Sequence, residues 1–398
     1  MTTTNHYQNK RHALTNRYSR TLFVIPSGQE AQRSHSVRYR FKVSSDFYYL
    51  CGLNLSDAIL IIAGPQSYLV QKNDHDQIWG EHTSIDETEF HKLSGLMVEN
   101  NLRLNEILQQ LAPEFDRIAM PLSRAAKVEE VVMQEVAFSR KASRQRLRPI
   151  DLCDSRSLIG TLRTVKEPSE IELLKQAGQR SSAVHELAMR QSWVGRTERE
   201  LSNFIEGHFL LQDMQFTSYE TIVGSGNRAA ILHARATDKV ILKDELILVD
   251  AGAEWRGYCA DITRTWPSGR AFSEKQRQVY SLVLQAQTHA LKLIRPGVTL
   301  QEIHNTATSL LSEIMPHSTS HWIGLDVHDP CAYVDDRGDQ VKLEVGMCFT
   351  VEPGFYADGI GVRIEDDVVV TATGFEFLST ATKEIEEIEV LRAASDDK

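Results

Sequence analysis

The chain has 398 residues, 41% of them hydrophobic and 25% charged, which is ample material for a packed core and a length that points to two domains. Its formal charge of −10 argues against nucleic acid or an anionic membrane surface as an electrostatic partner. Five cysteines (Cys51, Cys153, Cys259, Cys331 and Cys348) form no CxxC pair, the polar N-terminus lacks a secretory core and no run reaches membrane-span length; reduced thiols in a cytoplasmic protein are expected.

In chain order, TLFVIPSG (21–28) and AILIIAGPQSYLV (58–70) read as strands, the second run folded back on itself at a Gly-Pro turn. Helical spacing is expected in EFHKLSGLMVENN and LNEILQQLAPEF, then a short strand RIAMPL and a long helix from about Ser123 to Arg146. Residues 1–160 therefore form a small α/β domain without a compact catalytic spacing. Within it Asp46, in SSDFYYLCG, and Trp79, in QIWGEH, are the two side chains of note, although a surface acid and a packing aromatic are their simplest readings. Near Leu162 to Pro168 the pattern changes: a proline and acids open an amphipathic helix, and residues 161–398 make a second domain of long helices and β-rich runs.

The second domain repeats itself. VGRTERELSNFIEGHF and PGVTLQEIHNTATSLL share a turn and a threonine at the helix start, Thr197 and Thr299, spaced 102 residues apart. LILVDAG, ending in Asp250 and Gly252, is echoed at the same offset by Glu352 and Gly354 in CFTVEPG. A duplicated α/β unit with two matched halves follows. In the first half Asp250 ends an apolar strand, and Asp261 returns on a second strand-like run, so both carboxylates can point into one pocket. The duplication sets Glu352 opposite Asp250 and predicts a counterpart of Asp261 near position 363, where the acid is Glu365. Four carboxylates in a partly buried pocket are untenable unless they take up protons or bind cations, and two divalent ions are the economical solution. His317, His321 and His328 in HSTSHWIGLDVHD bring imidazole to this acidic cage and select a transition metal; His233 could add a further donor. GSGNRA imitates a dinucleotide fingerprint but lacks the helix that must follow, and His185-Glu186 lacks the second histidine of a zincin.

These residues, in the contexts VDAG, ADITRTW, HSTSHWIGLDVHD, TVEPG and RIEDD, resemble the five-ligand signature of the pita-bread metallopeptidases. Within that group the chain is most similar to the aminopeptidase P family, the Xaa-Pro aminopeptidases, from about Arg38 to the C-terminal helix. Ser318 departs from the glycine common there, the link from Glu352 to Arg363 is short, and Trp79 resembles a tryptophan that relatives offer to a neighbouring subunit. The resemblance implies a pseudo-twofold pita-bread catalytic domain holding two divalent ions, Mn²⁺ with Zn²⁺ or Co²⁺ as alternatives, on Asp250, Asp261, His321, Glu352 and Glu365. It implies hydrolysis of the N-terminal Xaa-Pro bond of peptides by a metal-bridging hydroxide, with Glu352 as proton shuttle and His328 and His233 polarising the scissile carbonyl. His317 and Arg363 would shape the pocket, with Asp46 and Arg163 as further substrate-binding candidates and Trp322 and Tyr356 as apolar surfaces for the proline ring. A homo-oligomer, dimer or tetramer, follows from Trp79. An Xaa-Pro dipeptidase of the same fold is the alternative; a metal-free binding module or a creatinase-like amidinohydrolase would have lost the ligands present here.

Overall fold

The computed structural model describes residues 5–71, 94–100, 103–141, 150–311, 315–335 and 337–394. The chain divides into two compact units, Met1–Leu162 and Arg163–Lys398. Trp79 lies outside the described residues.

The first unit is built on one six-stranded sheet. Its strands are β1 (Thr21–Pro26), β2 (Ile59–Ala63), β3 (Gln66–Gln71), β4 (Met97–Asn100), β5 (Arg117–Met120) and β6 (Asp151–Asp154), in the order β4-β3-β2-β1-β5-β6. β1 and β2 are buried at every position, as expected of central strands covered on both faces. The helices Leu104–Leu111 and Ala126–Lys141 place Leu104, Ile107, Leu108, Val132 and Val136 in the same core as those strands. Two departures from expectation stand out. MVEN, read as helical, is β4, paired parallel to β3; Gly95, with φ +66°, interrupts the chain just before it, and the earlier part of that expected helix lies outside the described residues. The polar N-terminal stretch is in part a helix, Asn5–Arg17, which carries no apolar stripe to reveal it. It is held by a charged side chain instead: buried Arg11 donates to the carbonyls of Leu50 (2.9 Å) and Ser94 (2.6 Å).

The second unit contains the duplication. One half has the helices Pro168–Met189 and Glu198–Leu211 and the antiparallel sheet β11-β8-β7, formed by β7 (Ile222–Ser225), β8 (Leu246–Asp250) and β11 (Thr263–Pro267). The other has the helices Glu274–Leu293 and Leu300–Leu311 and the sheet β12-β15-β16, formed by β12 (Cys348–Val351), β15 (Asp366–Val370) and β16 (Phe375–Phe377). Corresponding contacts recur 102 residues on. Thr197 and Glu200 cap one helix reciprocally, and Thr299 and Glu302 cap its counterpart. Gly195 donates its N–H to Ile241, and Gly297 to Leu343; both glycines sit at positive φ in the turn before the cap.

Register refines the expected pairing of acids. Asp250 faces Thr263 across β8 and β11, whereas Val351 faces Asp366 across β12 and β15. Glu365 is thereby the equivalent of Thr263, and the position equivalent to Asp261 is Arg363. Around the pseudo-twofold the Thr263 hydroxyl donates to Glu365 Oε2 (2.6 Å), and Glu365 N–H donates to the Thr263 carbonyl (3.1 Å).

Between β8 and β11 the chain adds a small hairpin, β9 (Glu254–Trp255) and β10 (Tyr258–Cys259), turned by Arg256 and Gly257 at positive φ. The excursion lets Asp261 re-enter beside Asp250, and it packs backbone on backbone: a Cβ on Gly252 would sit 1.9 Å from the Ala260 carbonyl oxygen. Gly252→Ala should destabilise the chain by about 1–3 kcal/mol. Thermal unfolding checks this, and an unchanged midpoint would contradict the packing described.

Candidate active site

The floor of the second unit's cleft is acidic. A cavity of about 600 Å³ is lined by Asp250, Asp261, Glu352 and Glu365 together with His233, His317, His321, His328 and Arg363. Each side chain arrives on an edge: Asp250 ends β8, Asp261 precedes β11, Glu352 and Glu365 follow β12 and precede β15, and Arg363 closes β14 (Ile360–Arg363), paired with β13 (Gly354–Ala357). The histidines ride on irregular segments tied to those strands. His321 donates its N–H to Thr350 Oγ1 (3.1 Å) and accepts from Thr350 N–H (3.0 Å), so its backbone moves with β12.

Burial raises the proton affinity of Asp250, Glu352 and Glu365, and the structure shows where compensation comes from. Burial drives Asp250 up to about 6 although Arg363, whose Nη2 donates to Asp250 Oδ2 at 2.6 Å, pulls the other way. Burial likewise pushes Glu352 up to about 7 against the pull of His321, with the charge of Asp261 adding to the rise. Glu365 is raised further, by burial and by its three acidic neighbours. For His321 burial alone would favour the neutral ring, but the hydrogen bond to Asp261 and the nearby charge of Glu352 outweigh it and bring the imidazole up to about 9. Its Nε2 stands 3.3 Å from Asp261 Oδ2 and 3.5 Å from Glu352 Oε1.

His317 is the opposite case. Burial lowers it to about 4, and Arg363 pushes in the same direction. Arg363 Nη1 donates to the Tyr356 hydroxyl (2.9 Å), which is then free to donate to His317 Nε2 (2.9 Å), while His317 Nδ1 donates to the Ser318 carbonyl (2.9 Å). These partners specify a neutral ring. His328 stacks edge-on against His321 with centroids 4.4 Å apart and is also lowered, first by burial and then by His321.

Three further residues belong to the site that sequence reasoning missed. Tyr219, before β7, has its hydroxyl 2.6 Å from Asp261 Oδ1 and in contact with Asp250 Oδ1; nothing in SYET marks it. Thr263 bridges Arg363 Nε (2.9 Å) and Glu365. Buried Asp367 accepts the Asp261 N–H at 2.8 Å and fixes that residue's backbone. Two candidates stand elsewhere. Asp46 belongs to the first unit, buried in the first turn of the helix Ser45–Cys51. Arg163 is buried outside the cavity, donating to Asp326 (2.8 Å) and to Asp329, which also accepts from Lys166 at 3.2 Å; it braces the loop carrying His328 rather than facing the cavity. Trp322 is fully buried against Tyr333 and Phe349, away from the cavity.

The donor set suits divalent cations. One ligand atom each from Asp261, His321 and Glu365 lie within 4.8 Å of one another, with Asp250 and Glu352 lining the same floor. A crowded oxygen-and-imidazole cluster on a duplicated α/β scaffold defines a metal-dependent hydrolase. The chain belongs to metallopeptidase family M24, whose model matches residues 172–372, and a model of the aminopeptidase P N-terminal domain matches residues 7–118. It is 32% identical to the Xaa-Pro aminopeptidase of Escherichia coli (strain K12), covering 98% of both chains. Among solved structures, aminopeptidase P from E. coli with the inhibitor Pro-Leu superposes with a TM-score of 0.91 at 31% identity, covering 100% of this chain and 99% of that one. Proline aminopeptidase P II from Yersinia pestis gives 0.90 at 32% identity, covering 98% and 99%. The fold is accordingly an N-terminal α/β domain followed by a pita-bread catalytic domain, and the family's cofactors are divalent metal ions.

Protons and metal compete for this floor. Were Asp250, Glu352 and Glu365 to hold metal as carboxylates and His321 as a neutral ring, each would have to shed a proton it holds in the metal-free protein. Metal affinity should rise with pH, and ion binding should release more protons at about pH 6, where Glu352 and a share of Asp250 still carry theirs, than at about pH 8, where His321 and Glu365 remain the proton donors. Calorimetry in buffers of different ionisation enthalpy reads this directly; proton release independent of pH would contradict the assignment.

Proposed function

We propose that this chain is a metal-dependent aminopeptidase that hydrolyses the bond between an N-terminal residue and a following proline. The observation that carries the reading is the convergence of buried Asp250, Asp261 and Glu365 with half-buried Glu352 and His321 at the floor of a cavity whose wall holds His233, His317 and His328. Two divalent ions, Mn²⁺ in preference to Zn²⁺ or Co²⁺, would be held by Asp250, Asp261, His321, Glu352 and Glu365. Bound there, they supply Lewis acidity toward a water molecule and the scissile carbonyl.

The chain's own residues divide the remaining tasks. Glu352 accepts a hydrogen bond from Thr350 Oγ1 (3.3 Å) and faces both His317 and His321, a position from which its carboxylate takes a proton from the attacking water and hands it to the departing proline nitrogen. His328 and His233, on the cavity wall, donate toward the carbonyl oxygen as negative charge develops there. Asp261 offers its charge to the substrate's free amine, which restricts cleavage to the N-terminal residue. Arg363 holds Asp250 in place with Nη2 and, through Tyr356, keeps His317 neutral. A proline lacks an N–H and has a fixed φ, so recognition falls to shape and apolar contact, which Leu232 and Val327 supply on the same wall.

The reading extends to context. Among the described residues no helix is long and apolar enough to cross a membrane, and the acidic balance disfavours nucleic acid; the cytoplasmic placement rests on the five cysteines, which form no CxxC pair. Assembly into a homo-oligomer rests on the family resemblance.

Chain loaded with Mn²⁺ should release the first residue from an Xaa-Pro-Yaa tripeptide and leave a matched Xaa-Ala-Yaa peptide largely intact. Glu352→Ala should lower kcat by about 10²–10⁴-fold without unfolding the protein. Loss of proline selectivity, or a Glu352→Ala variant of undiminished activity, would overturn the reading.

A further inference from the structure

His233 is carried by a loop that leaves β7 at Ser225 and returns along it, where Val223 N–H donates to the Ala234 carbonyl (3.0 Å). Gly226, at φ +57°, turns the chain into a short helical segment, Gly226–Ala230, and a Cβ on Gly224 would meet the Arg228 carbonyl oxygen at 2.6 Å. The glycines of GSGNRA thus serve the tightness of this loop. His233 is exposed at the edge of the cavity, so its place is set by the backbone beneath it. Both limbs of the loop converge on one fully buried carboxylate, Glu198, at the start of the helix Glu198–Leu211. Glu198 accepts from the N–H (3.0 Å) and hydroxyl (2.9 Å) of Ser225, from Arg228 Nε (3.0 Å), and from the N–H (3.3 Å) and hydroxyl (2.8 Å) of Thr237. Arg228 then crosses the loop, donating through Nη2 to the Arg235 carbonyl (2.7 Å).

The duplication supplies an internal comparison. Thr197 and Val240 form a backbone bridge, and Thr299 and Lys342 form its counterpart at the same 102-residue offset. The position equivalent to Glu198 is Leu300, buried and apolar. The cap and the bridge therefore fold without a carboxylate there, and the acid belongs to what distinguishes the first half. A buried ion pair adds little net stability but strongly penalises misplacement of its partners. We propose that Glu198 is a positioning residue for His233: by gathering Ser225, Arg228 and Thr237 it fixes the loop that holds this imidazole toward the scissile carbonyl. The proposal rests on the aminopeptidase reading for the task of His233.

The test separates position from chemistry. Glu198→Gln keeps the shape but sets an amide NH2 against groups that donate. In the Mn²⁺-loaded full chain, hydrogen exchange read by mass spectrometry should quicken at least about tenfold over residues 225–237 and stay unchanged elsewhere in the catalytic unit. With an Xaa-Pro-Yaa tripeptide, Glu198→Gln should lower kcat by about 10–10²-fold with KM nearly unchanged, and His233→Ala by about 10²-fold. The double variant should be no slower than His233→Ala alone, because a residue that acts through His233 has nothing left to position. If Glu198→Gln fails to fold, Thr237→Val, which opens one end of the clamp and leaves the carboxylate in place, carries the same comparison with a smaller loss. Unchanged exchange over 225–237 in the folded variant, or losses that multiply in the double variant, would overturn the proposal. A parent chain that leaves Xaa-Pro peptides intact would overturn the aminopeptidase reading instead, and the exchange measurement would then decide alone whether Glu198 orders the loop.

Discussion

The constraint on which the catalytic unit depends is the crowding of Asp250, Asp261, Glu352 and Glu365 in one buried floor. Such a cluster is unstable as four bare anions, since burial disfavours each charge and every neighbour adds repulsion. The protein answers with cations and hydrogen bonds: Arg363 on Asp250, His321 between Asp261 and Glu352, Tyr219 across the two aspartates, and Thr263 on Glu365. These partners leave three carboxyl groups with raised proton affinity, and that residual demand for positive charge is what divalent ions meet.

Duplication explains why the acids meet. Two copies of a strand-turn-strand unit bring the ends of β8 and β12 and the starts of β11 and β15 to one pseudo-twofold, so each half contributes two carboxylates. The copies then diverged. At the position of Asp261 the second half carries Arg363, and at the position of Glu365 the first half carries Thr263. The exchange places one guanidinium and one hydroxyl where strict repetition would have placed further acids. Behind the floor Arg264, fully buried, donates to the Glu365 carbonyl (2.6 Å) and to Asp366 (2.6 Å), so the strand bearing Glu365 is anchored to the opposite half by a charge pair. A buried pair of this kind contributes little net energy but strongly penalises misplacement of either partner.

Much of this was legible in the residue order, for physical reasons. Apolar runs that end in Asp or Glu beside glycine identify strand ends, and a fixed 102-residue offset of such ends and of helix caps reveals the halves. What escaped was whatever depends on register or on polar anchoring. The 102-residue offset already points from Asp261 to Arg363, but that the acid Glu365 is the equivalent of Thr263 is settled by the pairing of Val351 with Asp366. Tyr219 joins the site from a polar stretch, the helix Asn5–Arg17 is held by buried Arg11 instead of an apolar face, and β4 carries too few residues to outweigh a helical spacing in its neighbourhood. Arg163, a substrate-binding candidate through the resemblance, is buried against Asp329 and braces the histidine loop.

The central claim is that the acidic floor exists to hold metal and not to hold the fold together. Asp261→Asn separates the two, because it preserves shape while removing one charge from the centre of the cluster. Metal content per chain, measured by mass spectrometry after dialysis against a fixed free-ion concentration, should fall with an affinity loss of at least about tenfold, while the metal-free variant unfolds at or above the midpoint of the metal-free parent. A variant that keeps its full complement of ions and its activity, or one that unfolds well below the metal-free parent, would contradict the account.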